Sequence, residues 1–184
     1  MQCRQIVFTE KNKAELLSVD INELKSNEVI VETVVSTISC GTEKANITGD
    51  PNVNAYGESQ VIFPRTSGYN SAGVVVKKGA DVKSVEIGDR VVVYWGLHKS
   101  YNVVPEEQVV KMGDNVSFET GAMSFISTFP MAAIRKTRLE MGESAIVMGL
   151  GILGIIAVKL LRTAGAVPII AADPNPTRRE IALK

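Results

Sequence analysis

A Gly-x-Gly-x-x-Gly pattern occupies positions 149–154 of this 184-residue chain, and an acid, Asp173, follows nineteen positions after its last glycine. The apolar run before the pattern predicts a buried strand over 144–148, and the proline-free run after it predicts a helix over 152–164. Glycines in such a turn let the backbone approach a pyrophosphate, which lies on the N–H groups at the positive end of the helix. The pattern therefore predicts a dinucleotide site that comprises Gly149, Leu150, Gly151, Ile152, Leu153 and Gly154.

A second apolar run, 167–172, predicts a strand that ends at Asp173. A carboxylate at this place accepts hydrogen bonds from both ribose hydroxyls, so NAD is expected in preference to NADP. Arg178 and Arg179 could instead bind a 2′-phosphate, so the sequence does not decide between NAD and NADP. The alternative interpretation is an exposed acid followed by a turn and by a new helix that starts at Thr177.

Composition argues against several classes of protein. Hydrophobic residues make up 45% of the chain and the formal net charge is zero, which argues against disorder and against a nucleic-acid partner. The two cysteines are too few for a disulfide framework and indicate a reducing compartment. The N-terminal residues turn polar at once, and the uncharged stretch 144–158 is too short to cross a membrane. A cytoplasmic protein without a membrane partner is expected.

The residues before the glycine pattern fall into two regions of different character. Runs rich in β-branched residues at 29–35, 73–76 and 90–94 predict a small all-β barrel or sandwich. From Ser117, an N-cap serine, apolar and small residues continue to Ile134 at helical spacing. We therefore predict a mixed β and α/β fold, with a β domain over 1–118 and an α/β segment over 119–184.

Four motifs give the sequence a family resemblance: Cys-Gly-Thr-Glu at 40–43, Gly-Tyr-Asn-Ser-Ala-Gly at 68–73, Gly-Asp-Arg-Val at 88–91, and Thr128 ahead of the glycine pattern. Together they resemble the medium-chain dehydrogenase/reductase family, which includes zinc-type alcohol dehydrogenases and quinone reductases, and within it the bacteriochlorophyllide dehydrogenase-like branch. The resemblance extends over the whole chain. It implies a GroES-like β-barrel domain followed by the first part of a Rossmann domain, with the active site in the cleft between the two domains.

The resemblance also bears on zinc. Cys40 stands where family members supply a zinc thiolate, whereas Tyr69 and Asn70 replace the family's His-Glu pair and Ser124 stands where a second cysteine would be. A catalytic zinc needs three protein ligands, so no zinc is expected. The alternative interpretation of Cys40 is a buried small hydrophobic residue.

Two hydroxyl groups are candidates for contact with a substrate oxygen. Thr42 occupies the position that passes a proton from the substrate hydroxyl in alcohol dehydrogenases, although Ala45 replaces the family's next relay histidine. The alternative for Thr42 is a turn threonine that caps its own backbone. Tyr69, in place of a ligating histidine, could donate to a substrate oxygen as hydride arrives, and its alternative is a packed aromatic residue.

Two further residues are assigned by position. Thr128 matches the position that contacts the nicotinamide in the family, and its alternative is a helix threonine bonded to a preceding carbonyl. His98 is the only histidine in the chain, so any imidazole chemistry must use it. We expect it to be a solvated, inert loop residue.

These residues predict a nicotinamide-dependent, zinc-independent oxidoreductase that transfers hydride between NAD(P)(H) and a small carbonyl, alcohol or conjugated substrate. The alternative is a truncated or degenerate member of the family, inactive as a 184-residue chain and bound to a partner chain. The strand over 144–148 is expected to expose an edge and an apolar face, because the sequence does not encode its usual neighbour. Residues beyond about 143 are then expected to be poorly ordered or paired with a second copy of the chain.

Overall fold

Antiparallel pairing joins the strands of the first part of the chain into two sheets. The computed structural model describes residues 2–51 and 62–184. The smaller sheet consists of β1 (Cys3–Glu10), β2 (Lys13–Val19) and β4 (Arg65–Thr66), in the order β2-β1-β4. The larger sheet has the order β7-β3-β5-β6-β8 and consists of β3 (Glu28–Ser36), β5 (Asn70–Lys78), β6 (Arg90–Tyr94), β7 (Tyr101–Pro105) and β8 (Val109–Lys111).

Both faces of the larger sheet contribute to a core, which explains why its central strands are almost continuously apolar. One face packs a cluster of valines that includes Val29, Val31, Val75, Val91 and Val93, each wholly buried. The other face packs Ala72 and Val92 against Met112 and Ala122. Successive residues of a strand point to opposite faces, so neighbouring positions such as 91 and 92 serve different clusters.

A helix, α1 (Cys40–Thr48), lies within the region that the sequence predicts to be all-β. It ends at Gly49, whose positive φ of 68° allows its N–H to donate to the carbonyls of Ala45 and Asn46. The prediction of an all-β region is therefore wrong at this point. The helix contains a glycine, two threonines and an asparagine, which are weak helix formers, and for this reason its sequence carries little helical signal.

Two helices replace the single helical run predicted from Ser117. The predicted cap is present, because Ser117 Oγ accepts a hydrogen bond from the N–H of Thr120 at the start of α2 (Phe118–Ala122). This helix stops at Met123, and α3 (Ser124–Thr137) follows. Phe118 and Ala122 of α2 pack on the second face of the larger sheet.

The second part of the chain alternates strands and helices in the predicted order. It consists of β9 (Ala145–Met148), α4 (Ile152–Thr163), β10 (Ile169–Ala172) and α5 (Pro176–Ala182). The two strands pair in parallel, with Ala145 opposite Ile169. The second strand starts two residues later than predicted, and Pro168, which has no N–H to donate, immediately precedes it.

One face of the β9–β10 sheet is exposed. Ile146, Met148 and Ile170 are 67%, 85% and 52% exposed, while the alternate residues 145, 147, 169 and 171 are half-buried. Helix α4 contacts both strands. The prediction of an exposed apolar face is confirmed by these side chains.

Contacts within the chain define two compact units, Met1–Ser124 and Phe125–Lys184. The predicted boundary after residue 118 lies one short helix before this division. Among the described residues, no helix has both the length and the apolar character needed to span a membrane.

Candidate cofactor and active-site residues

The glycine turn joins β9 to α4 and depends on glycine at two positions. Gly149 has a φ of 90°, which side chains disfavour, and its N–H donates to the carbonyl of Ala172 at 2.7 Å. A Cβ on Gly154 would collide with the carbonyl oxygen of Gly149, so only glycine allows the helix to approach the turn this closely. Between them, the side chain of Leu150 is wholly buried.

The first turn of α4 is open to an anion. Gly151 is the N-cap residue and offers no side-chain acceptor to the first N–H groups of the helix. These N–H groups have no partner within a helix, and together with the helix dipole they favour a phosphate. A Cβ built on Gly151 would meet no atom within 4 Å, so the space beside this residue is free. The turn therefore fits a pyrophosphate, as the sequence predicts for Gly149, Ile152, Leu153 and Gly154.

The carboxylate of Asp173 fastens the end of β10 to the glycine turn. Its Oδ2 accepts from the N–H of Leu150 at 2.7 Å, and its Oδ1 accepts from the N–H of Asn175 at 2.8 Å. The Leu150 N–H, followed by the Asn175 N–H, lowers the pKa of this carboxyl. Its side chain is only 2% exposed, so the alternative interpretation of an exposed acid is wrong. Each carboxylate oxygen of Asp173 has a second lone pair with which it can accept a hydrogen bond from a ribose hydroxyl. That contact stays a prediction.

The two arginines after Asp173 differ in their partners. Arg178 is 54% exposed and its Nη1 lies 3.6 Å from Oδ2 of Asp173. Arg179 donates from Nη1 to the carbonyls of Asp173 and Pro174, at 2.6 and 3.0 Å. Arg178 is therefore the arginine with the more accessible charge for a 2′-phosphate, while Arg179 serves the backbone.

A cavity of about 880 Å³ lies within the second unit. Its lining is mostly apolar and comes from α3, β9 and the start of α4, with Phe129, Ile134, Ile146 and Leu153 among its residues. Thr128 is not among the lining residues. Its side chain is exposed, and its hydroxyl donates to the carbonyl of Phe125 at 2.7 Å, which matches the alternative interpretation of a helix threonine. Contact with a nicotinamide stays a prediction.

The first turn of α1 presents Cys40 and Thr42 to solvent. The interpretation of Cys40 as a buried residue is wrong, because its side chain is exposed, whereas the other cysteine, Cys3, is buried. The Oγ1 atom of Thr42 lies 3.1 Å from Oγ of Ser39, so its hydrogen bond joins two side chains rather than capping its own backbone.

Tyr69 lies beside Trp95, an aromatic residue that none of the sequence motifs contains. The rings of Tyr69 and Trp95 are 6.2 Å apart at 45°, and the N–H of Trp95 donates to the carbonyl of Tyr69 at 3.0 Å. Trp95 has a φ of 64° and is 60% exposed. A large residue in the left-handed region is strained, and such strain concentrates at functional sites. Nothing in the sequence marks this conformation.

His98 is buried, so the prediction of a solvated loop histidine is wrong. Its Nδ1 lies 2.9 Å from Oγ of Ser36, and its Nε2 lies 3.3 Å from Oε1 of Glu43. The second carboxylate oxygen of Glu43 accepts from the hydroxyl of Ser67. The sequence marks Glu43 only as the last residue of the Cys-Gly-Thr-Glu motif, because its partners His98 and Ser67 lie 55 and 24 positions away.

The described residues do not fit a catalytic zinc. Cys40 is a thiolate candidate, but Tyr69 and the wholly buried Asn70 offer a phenol and an amide, which are poor zinc ligands. Ser124 donates from its hydroxyl to the carbonyl of Gly121 at 2.6 Å. Within residues 2–51 and 62–184, no three His, Cys, Asp or Glu side chains come together as metal ligands do.

Comparison with known proteins identifies the family. The profile of the alcohol dehydrogenase GroES-like domain matches residues 25–137, and the chain therefore belongs to this family. The fold is a GroES-like β domain followed by the first part of a Rossmann domain, and solved alcohol dehydrogenase structures share it. The predicted medium-chain dehydrogenase/reductase resemblance is confirmed, whereas its bacteriochlorophyllide dehydrogenase-like branch stays a prediction.

Individual relatives are longer than this chain. (R,R)-butanediol dehydrogenase of Bacillus subtilis (strain 168) is 31% identical over 143 residues, which cover 64% of this chain and 41% of that protein. L-threonine 3-dehydrogenase of Pyrococcus abyssi is 26% identical over 203 residues, covering 93% and 56%. A structure described as a short chain alcohol dehydrogenase from E. coli CFT073, complexed with cofactor NADH, superposes with a TM-score of 0.84 at 21% identity, and the match covers 99% of this chain and 60% of that one. The chain thus spans about half the length of these relatives.

Proposed function

We propose that the protein is a nicotinamide-dependent oxidoreductase of the alcohol dehydrogenase type. The observation that carries the proposal is the glycine turn, in which the buried Asp173 carboxylate holds Leu150 while the first N–H groups of α4 lack a side-chain cap. Membership of the alcohol dehydrogenase GroES-like family supports the same conclusion. When bound, the nicotinamide supplies the hydride, and the chain supplies binding and hydrogen bonds.

The substrate in this proposal is a small carbonyl compound or alcohol, or one with a conjugated double bond. In the first unit, the hydroxyls of Thr42 and Tyr69 are the groups that we assign to the substrate oxygen, and Trp95 supplies an exposed apolar surface next to Tyr69. Cys40 shares the first turn of α1 with Thr42, and we assign it to the same surface. A hydroxyl that donates to a carbonyl oxygen stabilises the negative charge that develops there as hydride arrives.

We further propose that the reaction is independent of zinc. The donor set at Cys40, Tyr69, Asn70 and Ser124 holds one sulfur ligand in place of the three N, S or carboxylate ligands that a catalytic zinc needs. Polarisation of the substrate oxygen then falls to hydroxyl donors. Elemental analysis that finds about one zinc per chain after mild chelation would contradict this assignment.

NAD is the proposed cofactor, with NADP less favoured. The negative charge of Asp173 lies at the end of β10, where a 2′-phosphate would come close to it. Arg178 partly offsets this repulsion, because its guanidinium lies 3.6 Å from the same carboxylate.

A pair of glycine substitutions tests the nucleotide site. Gly151→Ala places a Cβ in free space, so folding should be unaffected, whereas the close approach of a pyrophosphate should be blocked. We expect the affinity for NADH, measured by calorimetric titration, to fall about tenfold or more. Gly41→Ala is the control, because a Cβ there also meets no atom within 4 Å but lies in α1. Equal NADH affinity in Gly151→Ala and the parent protein would overturn the assigned site.

The second candidate function is that of an inactive chain that associates with a second copy of itself. The observation that favours it is the exposed apolar face formed by Ile146, Met148 and Ile170. Exposed apolar faces of this kind mark interaction surfaces in many proteins. A stable monomer that binds NADH at micromolar concentration would exclude this candidate.

A further inference from the structure

Four polar side chains from separate segments of the first unit form one hydrogen-bonded chain, the His98 cluster. It runs from Ser36 at the end of β3 to His98, then to Glu43 in α1, and ends at Ser67 between β4 and β5. The side chains of His98 and Glu43 are 4% and 12% exposed. Burying such groups is costly unless their hydrogen bonds are satisfied, and here both ring nitrogens and both carboxylate oxygens have partners.

The arrangement selects one form of the imidazole. The Glu43 carboxylate can only accept hydrogen bonds, so Nε2 of His98 must carry the hydrogen that faces it. In this tautomer Nδ1 accepts from the hydroxyl of Ser36. The tautomer with a hydrogen on Nε2 therefore satisfies both ring nitrogens of His98.

The His98 cluster also joins the two segments that carry the proposed substrate hydroxyls. Glu43 follows Thr42 directly in the first turn of α1, and Ser67 precedes Tyr69 by two residues. The N–H of His98 donates to the carbonyl of Ser67 at 2.9 Å, which adds a backbone link. The N-cap residue of α1, Ser39, makes no side-chain bond to a backbone N–H, so these tertiary contacts add to the Ser39–Thr42 hydrogen bond in holding the start of the helix.

We propose that Glu43 and His98 are a positioning pair, which fixes the Thr42 turn of α1 against the Tyr69 segment so that both hydroxyls meet one substrate oxygen. The pair acts through its neighbours and does not itself touch the substrate. This inference rests on the proposed oxidoreductase function. The hydrogen bond between Glu43 and His98, and its effect on the first turn of α1, can be tested without measuring turnover.

The single histidine makes that test direct, because the chain gives only one set of imidazole resonances. Nitrogen NMR of the labelled protein at neutral pH should show a protonated Nε2 and, for the neutral ring, an unprotonated Nδ1. In Glu43→Gln the Nε2 resonance should shift, and amide hydrogen exchange in the first turn of α1 should accelerate about tenfold or more. In the control Glu32→Gln, which removes a carboxylate that accepts from Tyr101 at 3.0 Å, both should match the parent. Nitrogen resonances in the parent protein that average rapidly between the two tautomers, as in a solvent-exposed imidazole, would overturn the proposed pairing of His98 with Glu43.

Kinetics test the positioning role once the parent protein turns over a carbonyl substrate with NADH. Glu43→Gln should lower kcat about tenfold while the KM for NADH stays within about twofold, because the cofactor site lies on other residues. His98→Gln should recover part of the kcat lost in His98→Ala, since an amide can still donate to Glu43. A kcat unchanged in both Glu43→Gln and His98→Ala would overturn the proposal. A parent that turns over no substrate would refute the proposed function instead, and the NMR arm would then decide the pair by itself.

Discussion

The backbone N–H of Leu150 donates a hydrogen bond of 2.7 Å to Oδ2 of Asp173, which lies 23 positions further along the sequence. The carboxylate thereby connects the glycine turn after β9 with the end of β10, the two places where a dinucleotide would lie. Because the second oxygen binds the N–H of Asn175, one side chain organises both the turn and the loop that leads to α5. The acid that the sequence assigns to the cofactor thus also has a structural role.

This double role gives a prediction for acid conditions. The folded-state pKa of Asp173 is depressed, chiefly by the Leu150 N–H, so its contribution to stability is fully present above the unfolded-state value of about 3.9. The contribution is lost as the pH falls through the lower folded-state value. We expect the protection of the Leu150 amide, which is the factor by which its exchange is slower than the intrinsic rate at the same pH, to fall in that range, as measured by pH-dependent hydrogen exchange.

The matched variant Asp173→Asn should remove this pH dependence and should loosen the Leu150 amide even at neutral pH. An amide side chain presents a donor where one of the two N–H groups needs an acceptor. The exchange of residues in the valine cluster of the first unit serves as the internal reference. Unaltered Leu150 exchange in Asp173→Asn would contradict the structural role.

Cofactor preference gives a second prediction. NAD(H) should bind about tenfold or more tightly than NADP(H), because the 2′-phosphate would approach the charge of Asp173. Asp173→Ser should narrow the difference, and Arg178→Ala should widen it, because this variant lacks the exposed guanidinium. Parallel titrations with both cofactors measure the effect. Equal affinities in the unmutated protein would mean that Arg178 outweighs the carboxylate.

Trp95 gives a third prediction, since it is the only tryptophan in the chain and is 60% exposed. Because the indole is assigned to the substrate surface, a saturating carbonyl substrate should measurably reduce the quenching of Trp95 fluorescence by acrylamide. A non-ligand polyol of similar size serves as the control for solvent effects. Quenching that is unaffected by every tested substrate would separate Trp95 from the site.

The exposed sheet face gives a fourth prediction. Apolar side chains at 146, 148 and 170 should make the 184-residue chain self-associate at micromolar concentration. The double variant Met148→Lys, Ile170→Lys should shift sedimentation towards the monomer. Leu16→Lys is the matched control, because Leu16 is 59% exposed but lies on β2 of the first unit. A monomeric parent chain, or equal shifts in the control, would count against an interface at this face.

The glycine turn at 149–154 was predictable from the sequence because its determinants are local. Position 149 requires glycine because its φ is positive, and position 154 requires glycine because the backbone of Gly149 lies so close to it. One helix and one strand separate this turn from Asp173, which is the spacing typical of a dinucleotide-binding unit. The valine-rich strands of the larger sheet were also predictable from the sequence, because their β-branched runs show no helical periodicity.

Other residues could not be assigned in this way because their environment comes from distant segments. His98 is buried by partners 55 and 62 positions away, Glu43 and Ser36, and no local pattern records that contact. The left-handed conformation of Trp95 likewise arises from its place after β6 against Tyr69. Contacts with distant segments determine the burial of His98 and the conformation of Trp95. The same holds for the formation of α1, whose sequence has little helical propensity.

The wholly buried side chain of Leu150 has a consequence for the rate at which the proposed cofactor would bind. An apolar anchor beneath the turn means that the backbone is ordered before any nucleotide arrives, so the entropy of ordering is spent during folding and not during association. Encounter then requires docking to a preorganised surface rather than the closing of a disordered loop. Differences in affinity among nucleotides should accordingly appear in their dissociation rates, with association rates nearly constant.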